Sequence, residues 1–359
     1  MRIMIVGAWR WHQYEDAFAR GLEANGVEVT RYSTSEYFSG IMGRLQLTLP
    51  VVPGWALIKL NLELIKRARR ELPDLILFWR PTHILPLTLR KLKRLGIHTV
   101  SYNNDDPFGP KAGSNVPWHH HWLWFWYLRC LPNFRLNFFY RRLNCEEALA
   151  HGVGHAEVLM PYYLPWQDHP VKLSQDEQAR FGTDVVFVGH FEPDGRAQAI
   201  NNLIKAGISV KVWSGASWGD VITSEYYQAN GSIKAALGGE YSKALCGAKV
   251  CLAFLSKLNR DTYTRRCFEI PACGRVMLAE RTDDLLRLFK EDVEACFFSS
   301  NEELVEKARW LLANPDIRER IAQAGLKRVW NDGHDVTSRA RQFLDVLTPS
   351  IQKNTGVDL

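Results

Sequence analysis

Short apolar runs that close on a glycine or a polar turn alternate with stretches of helical period from residue 2 to about residue 347. "RIMIVG" is followed by a helical stretch over about 14–25, by Gly26 and by a second run at 27–32. "DLILFW" (74–79) is followed by a helix over 86–95, Gly96 and "IHTVSYN". A strand read as an unbroken apolar run is covered on both faces, and a helix between two such strands returns the chain so that the next strand runs parallel. The pattern therefore predicts an α/β chain with parallel sheets. A charged helix at about 55–71 and strands at 136–140 and 156–160 complete the first half.

The alternation lapses once. "PYYLPWQDHPVKLSQDEQARFG" (161–182) carries three prolines and several charges, and reads as an interdomain linker and hinge. It restarts with "DVVFVG" (184–189), a helix from about 195, strands at 208–215, 248–255, 275–280 and 293–299, and helices over about 301–313, 316–330 and 335–347. A chain of 359 residues exceeds what one core usually serves, so two domains are expected, 1–165 and 166–335, each a Rossmann-like doubly wound sheet.

Composition narrows the class. Hydrophobic residues make up 46% and charged residues 23%, which fits a globular chain, and a formal charge of +6 suits an anionic small ligand or a membrane surface better than nucleic acid. The seven cysteines form no C-x-x-C pair and read as buried thiols of a reducing compartment. No window of about 18 apolar residues predicts a membrane span, and the N-terminus reads as a strand rather than a signal sequence. A cytoplasmic location, at most peripheral to the inner face of the membrane, is expected.

Ligands of open parallel sheets sit beyond the carboxyl ends of the strands. In the second half that rule selects Gly189, His190 and Arg196 after one strand and Ser214 and Gly215 after the next, though a plain turn reads the same way. The stretch "RRCFEIPACGRVML" (265–278) is more specific. Thr264 is a fair helix N-cap, Gly274 a helix stop, and Pro271 keeps the helix short. Glu269 then lies among packing side chains, where a carboxylate is costly unless bonded. Vicinal hydroxyls of a ribose would satisfy it, with Arg265 or Arg266 on a diphosphate; an internal Glu–Arg ion pair would do so equally.

"RRCFEIPACGRVMLAERTDDLLRLF", "NEELVEKARWLLANPDIRERIAQAG" and "HDVTSRARQFL" resemble the C-terminal domain of CgeB-like glycosyltransferases, members of the two-Rossmann-domain GT-B class. The resemblance covers about 184–347; in the first half it extends only to the opening β-α-β unit and "NNDDPF". It implies a nucleotide-sugar donor held by the second domain, an acceptor held by the first across an interdomain cleft, no metal and no cofactor beyond the donor itself. It also implies that 336–359 supplies a helix crossing back to the first domain, and a tail. Related enzymes carry two glutamates seven residues apart: Glu269 matches the second, the ribose ligand, while Thr262 stands at the first. Arg196 would match the basic residue at the diphosphate.

In the first half the strand ends hold His12, Arg80, the Asp105–Asp106 pair and Arg141–Arg142. Asp105 and Asp106 are candidates for the catalytic base, or else a turn made with Pro107. The basic residues point to a phosphate-bearing acceptor, of carbohydrate, lipid-linked or peptide type. "WHHHWLWFWYLRCLPNF" (118–134) is too aromatic for an ordinary loop; its three histidines do not share a helix face, which argues against a metal site. It either packs as core or, with 41–70, rests on a bilayer. Two other functions stay open: a non-catalytic nucleotide-sugar-binding or assembly protein, and a nucleotide-sugar epimerase.

Overall fold

The computed structural model describes residues 1–109, 120–215 and 218–352. The chain divides into two compact units, one of Met1–Pro161 with Val336–Leu359 and one of Tyr162–Asp335.

In the first unit six parallel strands, β1 (Arg2–Gly7), β2 (Glu28–Ser33), β3 (Leu75–Trp79), β4 (His98–Asn103), β5 (Leu136–Phe139) and β6 (Ala156–Val158), lie in the order β2-β1-β3-β4-β5-β6. Every residue of β3 is buried, as a strand covered on both faces requires. The connections hold α1 (Ala17–Ala24), α2 (Gly40–Thr48), α3 (Trp55–Glu71), α4 (Pro86–Arg94), α5 (His120–Leu123), α6 (Phe125–Cys130) and α7 (Arg142–Ala150). Helix α3 buries Leu57, Leu60, Asn61, Leu64 and Ala68, the three-and-four spacing of one helical face. Gly26 and Gly96 follow α1 and α4 with φ of 78° and 74°, ending each helix in the left-handed conformation that costs glycine least.

The second unit has five parallel strands, β7 (Thr183–Val188), β8 (Val210–Trp213), β9 (Ala248–Ala253), β10 (Val276–Glu280) and β11 (Cys296–Phe298), in the order β11-β10-β9-β7-β8. Its helices are α8 (Gln175–Phe181), α9 (Arg196–Lys205), α10 (Ser224–Asn230), α11 (Gly239–Cys246), α12 (Arg266–Ala272), α13 (Asp283–Leu288), α14 (Asn301–Ala313) and α15 (Pro315–Asn331). The last helix, α16 (Val336–Gln352), belongs to the first unit, where Phe343 packs on Phe18 and Phe138 at ring-centroid distances of 5.5 and 4.9 Å. The fold class is the expected one: two Rossmann-like domains built on parallel sheets.

Several expectations need correcting. The stretch 161–182 is not a loose linker: from Tyr162 it is part of the second unit, buries Tyr162, Tyr163, Leu164, Asp168 and Phe181, and carries α8, closed by a capping box between Ser174 and Glu177. Helix α12 starts at Arg266 with Arg265, not Thr264, at the N-cap, and Pro271 lies inside it, one residue before its end, where it removes one intrahelical hydrogen bond. In the aromatic segment, 118 and 119 lie outside the described residues. Of the rest, Trp124, Tyr127, Cys130, Leu131 and Phe134 enter the core of the first unit while Trp122 stays exposed. All seven cysteines are buried and free.

Candidate functional site

In each sheet the first strand has the second on one side and the third on the other, so each has a switch point where neighbouring loops diverge. In the second unit it lies between β7 and β9. Gly189, His190 and Glu192 follow β7, Phe254 and Ser256 follow β9, and the Ser256 hydroxyl donates to Glu192 Oε2 at 2.6 Å, tying the two loops together. A Cβ at Gly189 would lie 2.7 Å from the Phe187 ring and 3.3 Å from Arg266 Nη1, so this backbone admits only glycine without displacement.

The arginines divide into two kinds. Arg196 is 2% exposed, and its guanidinium donates to Asp194 Oδ1 through Nε at 2.8 Å, to Asp194 Oδ2 through Nη2 at 2.5 Å and to the His190 carbonyl at 2.8 Å, with Glu192 Oε1 at 3.3 Å. Two carboxylates and a carbonyl consume the charge and the fork. Arg196 is therefore a staple of its own loop, not a side chain presented to a diphosphate. Burial pushes the Glu192 carboxyl up, but the bond from His190, the Arg196 charge and the Ser256 hydroxyl outweigh it and hold it at about 2. Arg266 is the opposite case: it lies over the Phe187 ring at 5.4 Å, bonds the Phe254 carbonyl at 3.5 Å, has no carboxylate partner among the described residues and leaves Nε without an acceptor. A guanidinium with unspent donors beside bare backbone is suited to an anion.

Glu269, 5% exposed, is already bonded. Arg265 donates to Oε1 through Nε at 2.8 Å and approaches the same oxygen through Nη2 at 2.6 Å; Tyr241 donates to Oε2 at 2.5 Å. Arg265 Nε and Tyr241 each take one lone pair, one on each carboxylate oxygen, so a ribose at Glu269 would share the carboxylate with both. Close by, Asp168 is fully buried, accepts from the Leu164 amide at 2.7 Å and from Gln167 at 3.1 Å, and is pushed up to about 7 by burial and by the Glu269 charge. Neither Tyr241 as a partner of Glu269 nor Asp168 as a like-charged neighbour was legible, because each comes from a segment far away in the chain. Thr262, where related enzymes have a glutamate, donates to Asp284 Oδ2 at 2.6 Å. Ser214 and Gly215 line a cavity of about 740 Å³ with Trp218, Tyr227 and Ser232, and the Gly189 amide bonds the Trp213 carbonyl at 2.9 Å, so the ends of β7 and β8 adjoin.

In the first unit the switch point lies between β1 and β3. The Glu15 carboxylate occupies the amides that open the loop, accepting from Ala8 at 2.8 Å and Trp9 at 3.3 Å, and Gly7 leaves it room, since a Cβ there would meet Oε1 at 2.5 Å. Loop amides that would otherwise be open to an anion are thus filled by a side chain. His12 lines a neighbouring cavity of about 660 Å³ with Trp9, Trp11, Arg31 and Tyr37. Arg80 bonds Asp105 and lies over the Trp124 ring at 5.2 Å. Asp106 is buried, accepting from the Phe108 amide at 3.0 Å and Asn144 at 2.9 Å, so it serves the turn around Pro107 and separates from Asp105 in role. Arg141 is likewise buried, against the Asn104 carbonyl and Asn144. Among the described residues no group of three His, Cys, Asp or Glu side chains could hold a metal ion.

Comparison with known proteins supports the same architecture. Residues 196–345, less than half of the chain, match a family model described as glycosyl transferase-like. No curated protein matches the sequence significantly. Among solved structures, sucrose-phosphate synthase from Thermosynechococcus elongatus is 13% identical, with 99% of this chain and 100% of that one covered at a TM-score of 0.69. Anabaena HepE, solved in complex with UDP and glucose, is 12% identical over 97% of this chain and 100% of its own, with a TM-score of 0.66. A putative UDP-N-acetylglucosamine 2-epimerase from Listeria monocytogenes is 12% identical over 98% and 97%, with a TM-score of 0.58.

Proposed function

We propose that the chain is a CgeB-like glycosyltransferase that moves a sugar from a nucleotide-sugar donor, held by the second domain, to an acceptor hydroxyl held by the first. The observation that carries this reading is Arg266, a guanidinium with no carboxylate partner among the described residues, beside Gly189 at a switch point. In transfer, the bond from the anomeric carbon to the diphosphate oxygen breaks and a bond to the acceptor oxygen forms. The departing diphosphate gains negative charge, which Arg266 and nearby amides would stabilise without a metal. His190, Ser214 and Gly215 are the proposed donor contacts, while Arg265 and Glu269 hold α12 in position. Asp105 is the proposed base for the acceptor proton, with Arg80 orienting it and His12 on the acceptor side. HepE, of like fold, was solved with UDP and glucose, which supports a uridine diphosphate donor.

Calorimetry with UDP and UDP-sugars, followed by an assay of UDP release in EDTA, tests this directly. Absence of any nucleotide binding overturns it. The likeness to a putative 2-epimerase favours one other reading, in which the same site converts the donor alone. Acceptor-free conversion of the sugar would establish that reading instead.

A further inference from the structure

Outside the site, the first unit carries an apolar face that its own fold leaves uncovered. Ile41 is 85% exposed, Val52 58% and Trp55 74%, and Leu45, Leu47, Leu49 and Leu62 are also exposed. Other large apolar side chains are exposed singly elsewhere, but these seven within one short segment mark an interaction surface. The face is built rather than loose. Gln46 is buried and donates to the carbonyls of Leu49 at 3.2 Å and Val52 at 2.6 Å, pinning the turn between α2 and α3, and Trp126 Nε1 holds the Pro50 carbonyl at 2.7 Å.

Helix α3 shows what chemistry the face would meet. Its inner stripe packs on the core, and its outer stripe runs Trp55, Ile58, Leu62, then Lys66 and Arg69. One end is apolar and the other basic along the same exposed line. Residues 41–71 contain six Lys and Arg against two Glu, a formal +4 in a chain whose total is +6; Glu63 pairs with Lys66, and Glu71 with Arg67 and Arg70, on the same helix. A second apolar protein surface would match the first part but not this charge. An anionic bilayer matches both, taking aromatic and aliphatic side chains into the headgroup boundary and phosphates against the lysines and arginines. No described helix is long and apolar enough to span a membrane, so the contact is one of lying on the surface.

We propose that α2, the following turn and the outer stripe of α3 dock the protein on a membrane rich in anionic lipid. Glu36 and Tyr37 line both the groove of this face and the cavity holding His12, so the docked surface adjoins the acceptor side of the first unit. The inference rests on the transferase reading only for that last relationship; docking itself is independent of it.

Co-sedimentation of the full chain with phosphatidylglycerol-containing vesicles, against pure phosphatidylcholine, tests the proposal, with UDP binding and thermal unfolding measured on every variant. The expected result is salt-sensitive binding to the anionic vesicles that falls about tenfold or more in Trp55→Glu/Leu62→Glu and in Lys66→Glu/Arg69→Glu, while folding and UDP binding are unchanged. Wild type that binds UDP but neither vesicle overturns docking alone; vesicle binding without UDP binding overturns the donor reading and leaves docking supported. Equal binding to both vesicle types, indifferent to the Lys66/Arg69 variant, overturns it. So does a wild-type dimer in sedimentation velocity that ignores vesicles and becomes a monomer on Trp55→Glu, because the face then covers a second copy. If the Trp55/Leu62 variant does not fold, the Lys66/Arg69 variant, changed only at exposed helix positions, decides the question.

Discussion

Arg196 and Asp194 form a forked pair two residues apart, Nε to Oδ1 at 2.8 Å and Nη2 to Oδ2 at 2.5 Å, closed off from solvent at the start of α9. Breaking a buried pair by removing one member leaves the other charge uncompensated, at a cost of about 3–5 kcal/mol. Arg196→Ala should therefore lower the melting temperature of the second domain. Arg266→Ala should leave it nearly unchanged and weaken UDP binding by about 1.5–3 kcal/mol, the scale of a hydrogen bond to a charged group. Calorimetry and thermal unfolding of the two variants side by side check this; reversed outcomes would return the diphosphate to Arg196.

Glu269→Ala is expected to act first on stability. It strips Arg265 and Tyr241 of their shared acceptor inside the protein, which should cost about 3 kcal/mol or more. Weakened nucleotide binding in a variant of unchanged melting temperature would show instead that the carboxylate grips a ribose.

The strands were legible because each is a short apolar run ended by glycine or a polar turn, and β3, wholly buried, is the clearest case. Helices α10 and α11 were not, since 224–246 mixes glycines and polar residues with no apolar period long enough to count. For Arg196 the signal was present but pointed inward: "HFEPDGR" puts Glu192 four and Asp194 two residues before it, near enough to pair. Looking outward from each strand end for a ligand passes over such local partners. Glu269 shows a different limit, since Tyr241 lies 28 residues away and its approach depends on how α11 packs. The split of Asp105 from Asp106 followed from the turn chemistry of Pro107, with Asn144 supplying a partner that spacing alone does not reveal.

Asp168 gives a prediction with a sign. Burial, then the Glu269 charge, raise its folded-state value to about 7, so the folded chain keeps a proton that the unfolded chain has already released at its lower, ordinary value. Its contribution is fully present below the unfolded value and is lost as pH rises through about 7. Relative to Asp168→Asn, the wild type should therefore lose stability between about pH 5 and about pH 8, with a slope of at most about 1.4 kcal/mol per pH unit. Denaturant unfolding of both proteins across that range checks it. A difference independent of pH would mean that Asp168 is ionised throughout.

The terminal helix offers the last test. Gly21 on α1 lies against α16 so closely that a Cβ there would stand 2.7 Å from the Val336 carbonyl oxygen and 3.2 Å from the Ala340 Cβ. The first obstacle is backbone, which cannot swing aside as the end of a long side chain can. Asn25 secures the same junction, donating through Nδ2 to the Thr337 carbonyl at 3.0 Å, and Phe343 fills the space between Phe18 and Phe138. Gly21→Ala gains helix propensity of up to about 1 kcal/mol, yet it overpacks this contact at a cost of about 1–3 kcal/mol. The net effect should be destabilising, and Gly21→Val, with two further methyl groups and a poorer helix former, should be worse. Truncation before Val336 should do more still, exposing the Phe18 and Phe138 faces, so the shortened chain should aggregate or unfold in its first domain. Hydrogen exchange on α1 and on β5, which carries Phe138, reads both effects. Unchanged protection in Gly21→Val would mean that α16 does not seat on α1 in solution.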